Sequence, residues 1–143
     1  MAKSLFKVLG VSALLLGSTV LHAQQPEKSP SPSGAQAYIV TPVNGATVPT
    51  TFTVVFGLKG MGVAPAGVQA NNTGHHHLLV DGMQVPDMNN PLGTAVTHFG
   101  GGQTETTLTL TPGQHTLQLI LGDYLHIPHN PPVVSDKITI TVQ

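Results

Sequence analysis

Thr73-Gly74-His75-His76-His77-Leu78-Leu79-Val80-Asp81-Gly82 is three consecutive histidines running into an apolar stretch that stops at an Asp-Gly turn. The stretch reads as a β-strand. Successive side chains of a strand point to opposite faces, so His75 and His77 share one face with Leu79, while His76 shares the other with Leu78 and Val80. Residues two apart on a strand stand roughly 6–7 Å apart, and two ring nitrogens leaning together can each reach the ~2.0–2.1 Å that zinc asks of histidine. A pair is not a complete site, and the further ligands have to come from His98, His115, His126 or His129.

Outward from this strand, alternation recurs at short intervals with turn residues between. Gln36 to Thr41 forms a short strand closed by Pro42-Val43-Asn44-Gly45, where Asn-Gly supplies a positive φ cheaply. Thr51 to Leu58 places Phe52, Val54, Phe56 and Leu58 on one face. Thr104 to Leu110, His115 to Leu121 and Asp136 to Val142 alternate in the same way, and Thr111-Pro112-Gly113-Gln114 is a tight turn. Between them lie three loops: 59–74, rich in Gly, Ala and Asn; 86–97, holding Pro86 and Pro91; and 122–134, rich in Pro and His. About seven short strands and no helical period imply an all-β fold, an antiparallel β-sandwich of immunoglobulin-like type, with its ligand-bearing residues mainly in loops and at strand ends.

The chain ends bound this domain to residues 36–143. Residues 1–23 read as a secretory signal peptide: Lys3 and Lys7, an apolar stretch from Val8 to Val20, and a cleavage site at Leu21-His22-Ala23. That stretch is short for a membrane span. Residues 24–35 (QQPEKSPSPSGA) form a Pro/Ser-rich leader with nothing to bury, expected to be flexible. The expected location is therefore periplasmic or secreted, with no stable membrane insertion after cleavage. Past the signal, Lys28, Lys59 and Lys137 face six carboxylates, a net charge of −3, so no basic footprint exists for nucleic acid. The absence of cysteine excludes thiolate metal sites and thiol catalysis.

Seven of the eight histidines follow the signal, which makes histidine chemistry the question. His126 and His129 sit among Pro128, Pro131 and Pro132, which restrict the loop before any ligand arrives. His98 precedes three glycines, which allow close approach or simply a turn. His115 opens a strand whose same-face neighbours are leucines, so it reads as a half-buried residue bonding across the sandwich, and His76 is structural for the same reason. Imidazole suits copper and zinc, and Met61, Met83 and Met88 flank the strand as soft donors or as ordinary filling. Asp81 and Asp123 either orient imidazoles or make turns.

Taken together, GHHHLLVD at 74–81, HFGGGQTE at 98–105, PGQHTLQL at 112–119 and GDYLHIPH at 122–129 resemble an exported bacterial family recorded only as a domain of unknown function. The resemblance runs from about Val40 to Val142. It implies bacterial export and a β-sandwich, and carries no activity. The residues themselves point to a metal-binding module for copper or zinc, with His75, His77, His126 and His129 as preferred ligands and His98 as an addition. The rival is a noncatalytic cell-envelope structural or interaction domain whose histidines form a hydrogen-bond network. A copper enzyme of the superoxide dismutase type is a third possibility, but the sequence shows no nucleophile elbow and no second ion's ligand set.

Overall fold

The computed structural model describes residues 27–143. The expected signal peptide lies outside the described residues, as does the start of the leader. In chain order the strands are β1 (Gln36–Thr41), β2 (Thr47–Val48), β3 (Thr51–Lys59), β4 (Gly62–Val63), β5 (Thr73–Val80), β6 (Thr97–His98), β7 (Glu105–Thr109), β8 (Gly113–Gly122) and β9 (Ile138–Val142). One sheet has the order β1-β3-β7, and the other the order β2-β9-β8-β5-β4, with β6 also paired to β5. With β1, β3 and β7 in one layer and β5, β8 and β9 in the other, this is the connectivity of an immunoglobulin-like sandwich. The long pairings are antiparallel as expected. Two short ones, β2 with β9 and β4 with β5, are parallel.

The alternation read in β3 is the core. Phe52, Val54 and Phe56 point inward against Leu78 of β5, Leu117, Leu119 and Leu121 of β8, and Ile140 and Val142 of β9. Each fully buried side chain of this size stabilises the fold by about 1.5–3 kcal/mol relative to exposure. Leu58 and Ile138, at strand ends, are only partly buried.

The opposite face of β5 and β8 is also covered. Leu79 and Ile120 form a second apolar cluster with Val96, and Met88, Leu92 and Val134 pack against it. The loops after β5 and β8 therefore lie over the outer face of this sheet. A strand covered on both faces carries an unbroken apolar run, which is why residues 74–79 are buried without alternation.

The leader departs from expectation. From Ser29 it is bound to the loop after β8: Asn130 N donates to Ser29 O (3.0 Å), Ser31 N to Asn130 O (3.1 Å), and Ser31 Oγ to Pro131 O (2.7 Å). Backbone groups of a Pro/Ser segment can be satisfied by a neighbouring loop even where no side chain is buried, and composition does not show this.

Candidate metal centre

Three segments of sequence bring four imidazoles together on the outer face of β5. His75 and His77 are neighbours on that face, with ring centroids 4.7 Å apart. His98 arrives through β6, whose pairing places it directly across from His77. Cross-strand partners project from the same face with Cβ atoms about 4.5–5.5 Å apart, and the His77 and His98 rings are 5.2 Å apart. The ring of His98 lies over Gly100, where a Cβ would collide with it.

His126 comes from the other edge. Gly122, the last residue of β8, stands opposite His75. A Cβ at Gly122 would meet His77 Cε1 at 2.6 Å and the His126 backbone at 3.3 Å, so the bare glycine leaves the space in which these residues approach. The chain then closes a tight turn on Asp123, whose Oδ1 accepts from Leu125 N (2.9 Å) and Ile127 N (3.0 Å) while its backbone carbonyl accepts from His126 N (2.9 Å). His126 adopts a left-handed φ of 66°. Such a conformation is uncommon for a residue with a Cβ and persists when its surroundings impose it. The turn folds His126 back over the sheet, where its Nδ1 lies 3.0 Å from His75 Nε2.

The result is a closed group: one ligand atom from each of His75, His77, His98 and His126 lies within 4.8 Å of every other. A tetrahedral ion with metal–nitrogen bonds of ~2.0–2.1 Å separates its nitrogens by about 3.3 Å. The existing 3.0 Å contact is near that figure, and the wider pairs reach it by an inward tilt of about 1 Å. The floor of the group, His75 and His77, is buried, while His126 is half-exposed and His98 is exposed, so access is from the His98 side.

Burial is also the main electrostatic influence. It holds His75 down to about 4, with repulsion from His126 and His98 adding to the effect. Burial and then the neighbouring His75, His98 and His126 hold His77 down to about 3. Partial burial and His126 lower His98 as well. These three rings therefore stand neutral at pH 7 with lone pairs available. His75 Nδ1 and both nitrogens of His77 are buried and have no hydrogen-bond partner among the described residues. Unpartnered buried polar atoms cost about 1–3 kcal/mol each, a cost that coordination through one nitrogen of each ring removes in part. The residues present thus fit a borderline divalent ion: all nitrogen, neutral, and mutually adjacent.

The other residues singled out in the sequence go elsewhere. His129 does not join the group; it is buried against the start of β5, with its Nε2 bonded to Thr73 O (3.1 Å). It and His126 are three residues apart in a turning loop, so they face different ways. His76 points between the sheets, 5.2 Å from the ring of Phe56, in the structural position expected of it. His115 bonds to Asp81 Oδ2 (2.7 Å) and to Thr111 O (2.8 Å), which corrects its reading as a bond across the sandwich: Asp81 follows the adjacent strand of the same sheet. Asp81 is thereby tied to the wrong histidine for a role at the cluster, whereas Asp123 shapes the turn that carries His126. Met61 packs on the main core, Met88 on the second cluster, and Met83 is 95% exposed. The roles of Gly122 and Asp123 had no local signal beyond small and turn-forming residue types.

Residues 54–143, more than half of the chain, match the model of a family described as a domain of unknown function, DUF4399. The chain belongs to that family. The matched region of this DUF4399 protein contains all four clustered histidines. No curated protein matches the chain. Among solved structures it is similar to a fibronectin(III)-like module of Clostridium thermocellum CbhA, at 12% identity and a TM-score of 0.35, over 75% of this chain and 93% of that one.

Proposed function

We propose that this DUF4399 protein is a periplasmic module that binds one copper or zinc ion through His75, His77, His98 and His126. The observation that carries the reading is the convergence of four imidazoles from three separate segments, with one ligand atom of each within 4.8 Å of those of the others. Four protein ligands fill a tetrahedral zinc sphere, the pattern of a holding site, whereas catalytic zinc keeps a position for water or substrate. Without thiolate, the set favours copper(II) and zinc over softer ions. The exposed edge at His98 supports reversible loading. Export by the N-terminal signal belongs to this same reading.

One observation favours the rival reading, a purely structural hydrogen-bond network: His75 and His126 already share a bond of 3.0 Å. A network, however, should use the nitrogens of His77, and both are unpartnered among the described residues. Calorimetric titration of the mature chain with zinc, and separately with copper(II), distinguishes the two. Metal binding gives about one ion per chain, lost when His75 and His77 are both changed to Ala in a variant that keeps its β-sheet circular dichroism. The network reading gives no stoichiometric ion.

A further inference from the structure

We infer that a second site, separate from the four-histidine group, binds a neutral, hydroxyl-rich ring, a saccharide of one or two units. A cleft of about 360 Å³ lies between the bound leader, the loop before β5 and the loop after β8. Ligand-binding cavities fall in the range of about 300–1,000 Å³, and the lower end of it suits one or two sugar rings. Gln69, Asn71, Asn72, Asp123, Tyr124 and His129 are among its lining residues.

The chemistry of the walls selects the ligand by exclusion. No lysine or arginine lines the cleft, and its one carboxylate, Asp123, repels anions. Asp123 is also a poor ligand for a cation. It is 2% exposed, and its oxygens already accept from Ser29 Oγ (2.8 Å), Leu125 N and Ile127 N. Polar and apolar groups line it in nearly equal parts, so a purely apolar ligand would leave the amides of Gln69, Asn71 and Asn72 unpaired. What remains is an uncharged molecule rich in hydroxyls. Three side-chain amides offer both donors and acceptors, and the half-buried Tyr124 offers an aromatic face with a polar tip. None of the four clustered histidines lines the cleft, so this site does not depend on metal.

The test is a nuclear magnetic resonance titration of the mature, metal-free chain with glucose, galactose, N-acetylglucosamine and the β-1,4-linked dimers of glucose and N-acetylglucosamine, each to about 10 mM, which suits millimolar affinity. The expected result is that at least one sugar shifts backbone amides at 68–73 and 123–129 and not those at 97–99. The dissociation constant should rise about tenfold in Tyr124→Ala, change little in Tyr124→Phe, and rise several-fold in Gln69→Ala, an exposed loop change that leaves the fold intact. No shift in those segments with any of the five sugars overturns the inference. So does binding that survives both alanine substitutions, or shifts produced only by a charged probe such as acetate.

Discussion

The Nε2 of His75 and the Nδ1 of His126 lie 3.0 Å apart although 51 residues separate them in the chain. Nothing local to either residue sets that distance. It results from the pairing of β5 with β8, from the bare Gly122 opposite His75, and from the Asp123 turn that folds the loop back over the sheet.

Gly122→Ala tests whether this close approach matters. A Cβ there would lie 2.6 Å from the His77 ring, nearer than real contacts allow. The ring or the His126 backbone must shift, which should lower zinc affinity at least about tenfold, or about 1.4 kcal/mol. The fold should survive with a modestly lower melting temperature. Titration and thermal denaturation of the same sample measure both.

His76→Leu separates the middle histidine from its neighbours. His76 is fully buried, on the face away from the cluster, and both ring nitrogens are unpartnered among the described residues. Replacing it with an apolar residue removes unsatisfied groups costing about 1–3 kcal/mol each, and repacking consumes part of the gain. Metal stoichiometry should be unchanged and stability to urea equal or greater. A loss of the ion in this variant would contradict the assignment of faces along β5.

These two residues also show how far the sequence could be read. Alternation in Phe52, Val54 and Phe56 gave the core face, and the same period-two logic put His75 and His77 together and His76 apart, because side-chain direction in a strand is a local property. The partner from β6 was not legible in this way. Two residues carry no period, and His98 is placed only by its pairing with His77. Choosing between His126 and His129 depended on the φ of 66° at His126 and on the Asp123 turn, neither of which spacing encodes. The parallel pairings of β2 with β9 and of β4 with β5 were hidden for the same reason as β6. The leader at Ser29–Ser31 is bound through backbone groups and two serine hydroxyls, which composition does not record.

Metal-free protein should lose stability in acid. Burial depresses His75 and His76 to about 4 and His77 to about 3, from 6.5 when unfolded, so below 6.5 the unfolded chain takes up more protons than the folded one. Stability is therefore fully present above pH 6.5 and declines as pH falls toward 4 and 3. Urea midpoints measured from pH 8 to pH 4 should change above 6.5 by no more than the small His115 contribution and fall below it. Bound zinc should raise the urea midpoints at neutral pH and make the fall below 6.5 steeper, since protons and the ion compete for the same nitrogens.

His115 behaves in the opposite sense. Its hydrogen bond to Asp81, reinforced by Thr111 O, raises its pKa above the ordinary value. The pair stabilises the fold below pH 6.5, and that contribution is lost as pH rises through the raised value. Asp81 is about half exposed, so solvent screening limits the effect to roughly 0.2–1 kcal/mol. Asp81→Asn should cost that amount at pH 6 and less at pH 9, with metal binding unaffected. An equal cost at both pH values would assign the effect to the Asp81 contact with Thr116 N instead.

The most direct test of the four-histidine centre is X-ray absorption on the mature protein loaded with one equivalent of zinc. A single shell of four nitrogen scatterers at about 2.0 Å is expected, with the outer-shell features of imidazole fitted by four rings, falling to three in His98→Ala. A shell of two or fewer imidazoles completed by oxygen, or an unchanged spectrum in His98→Ala, would contradict it.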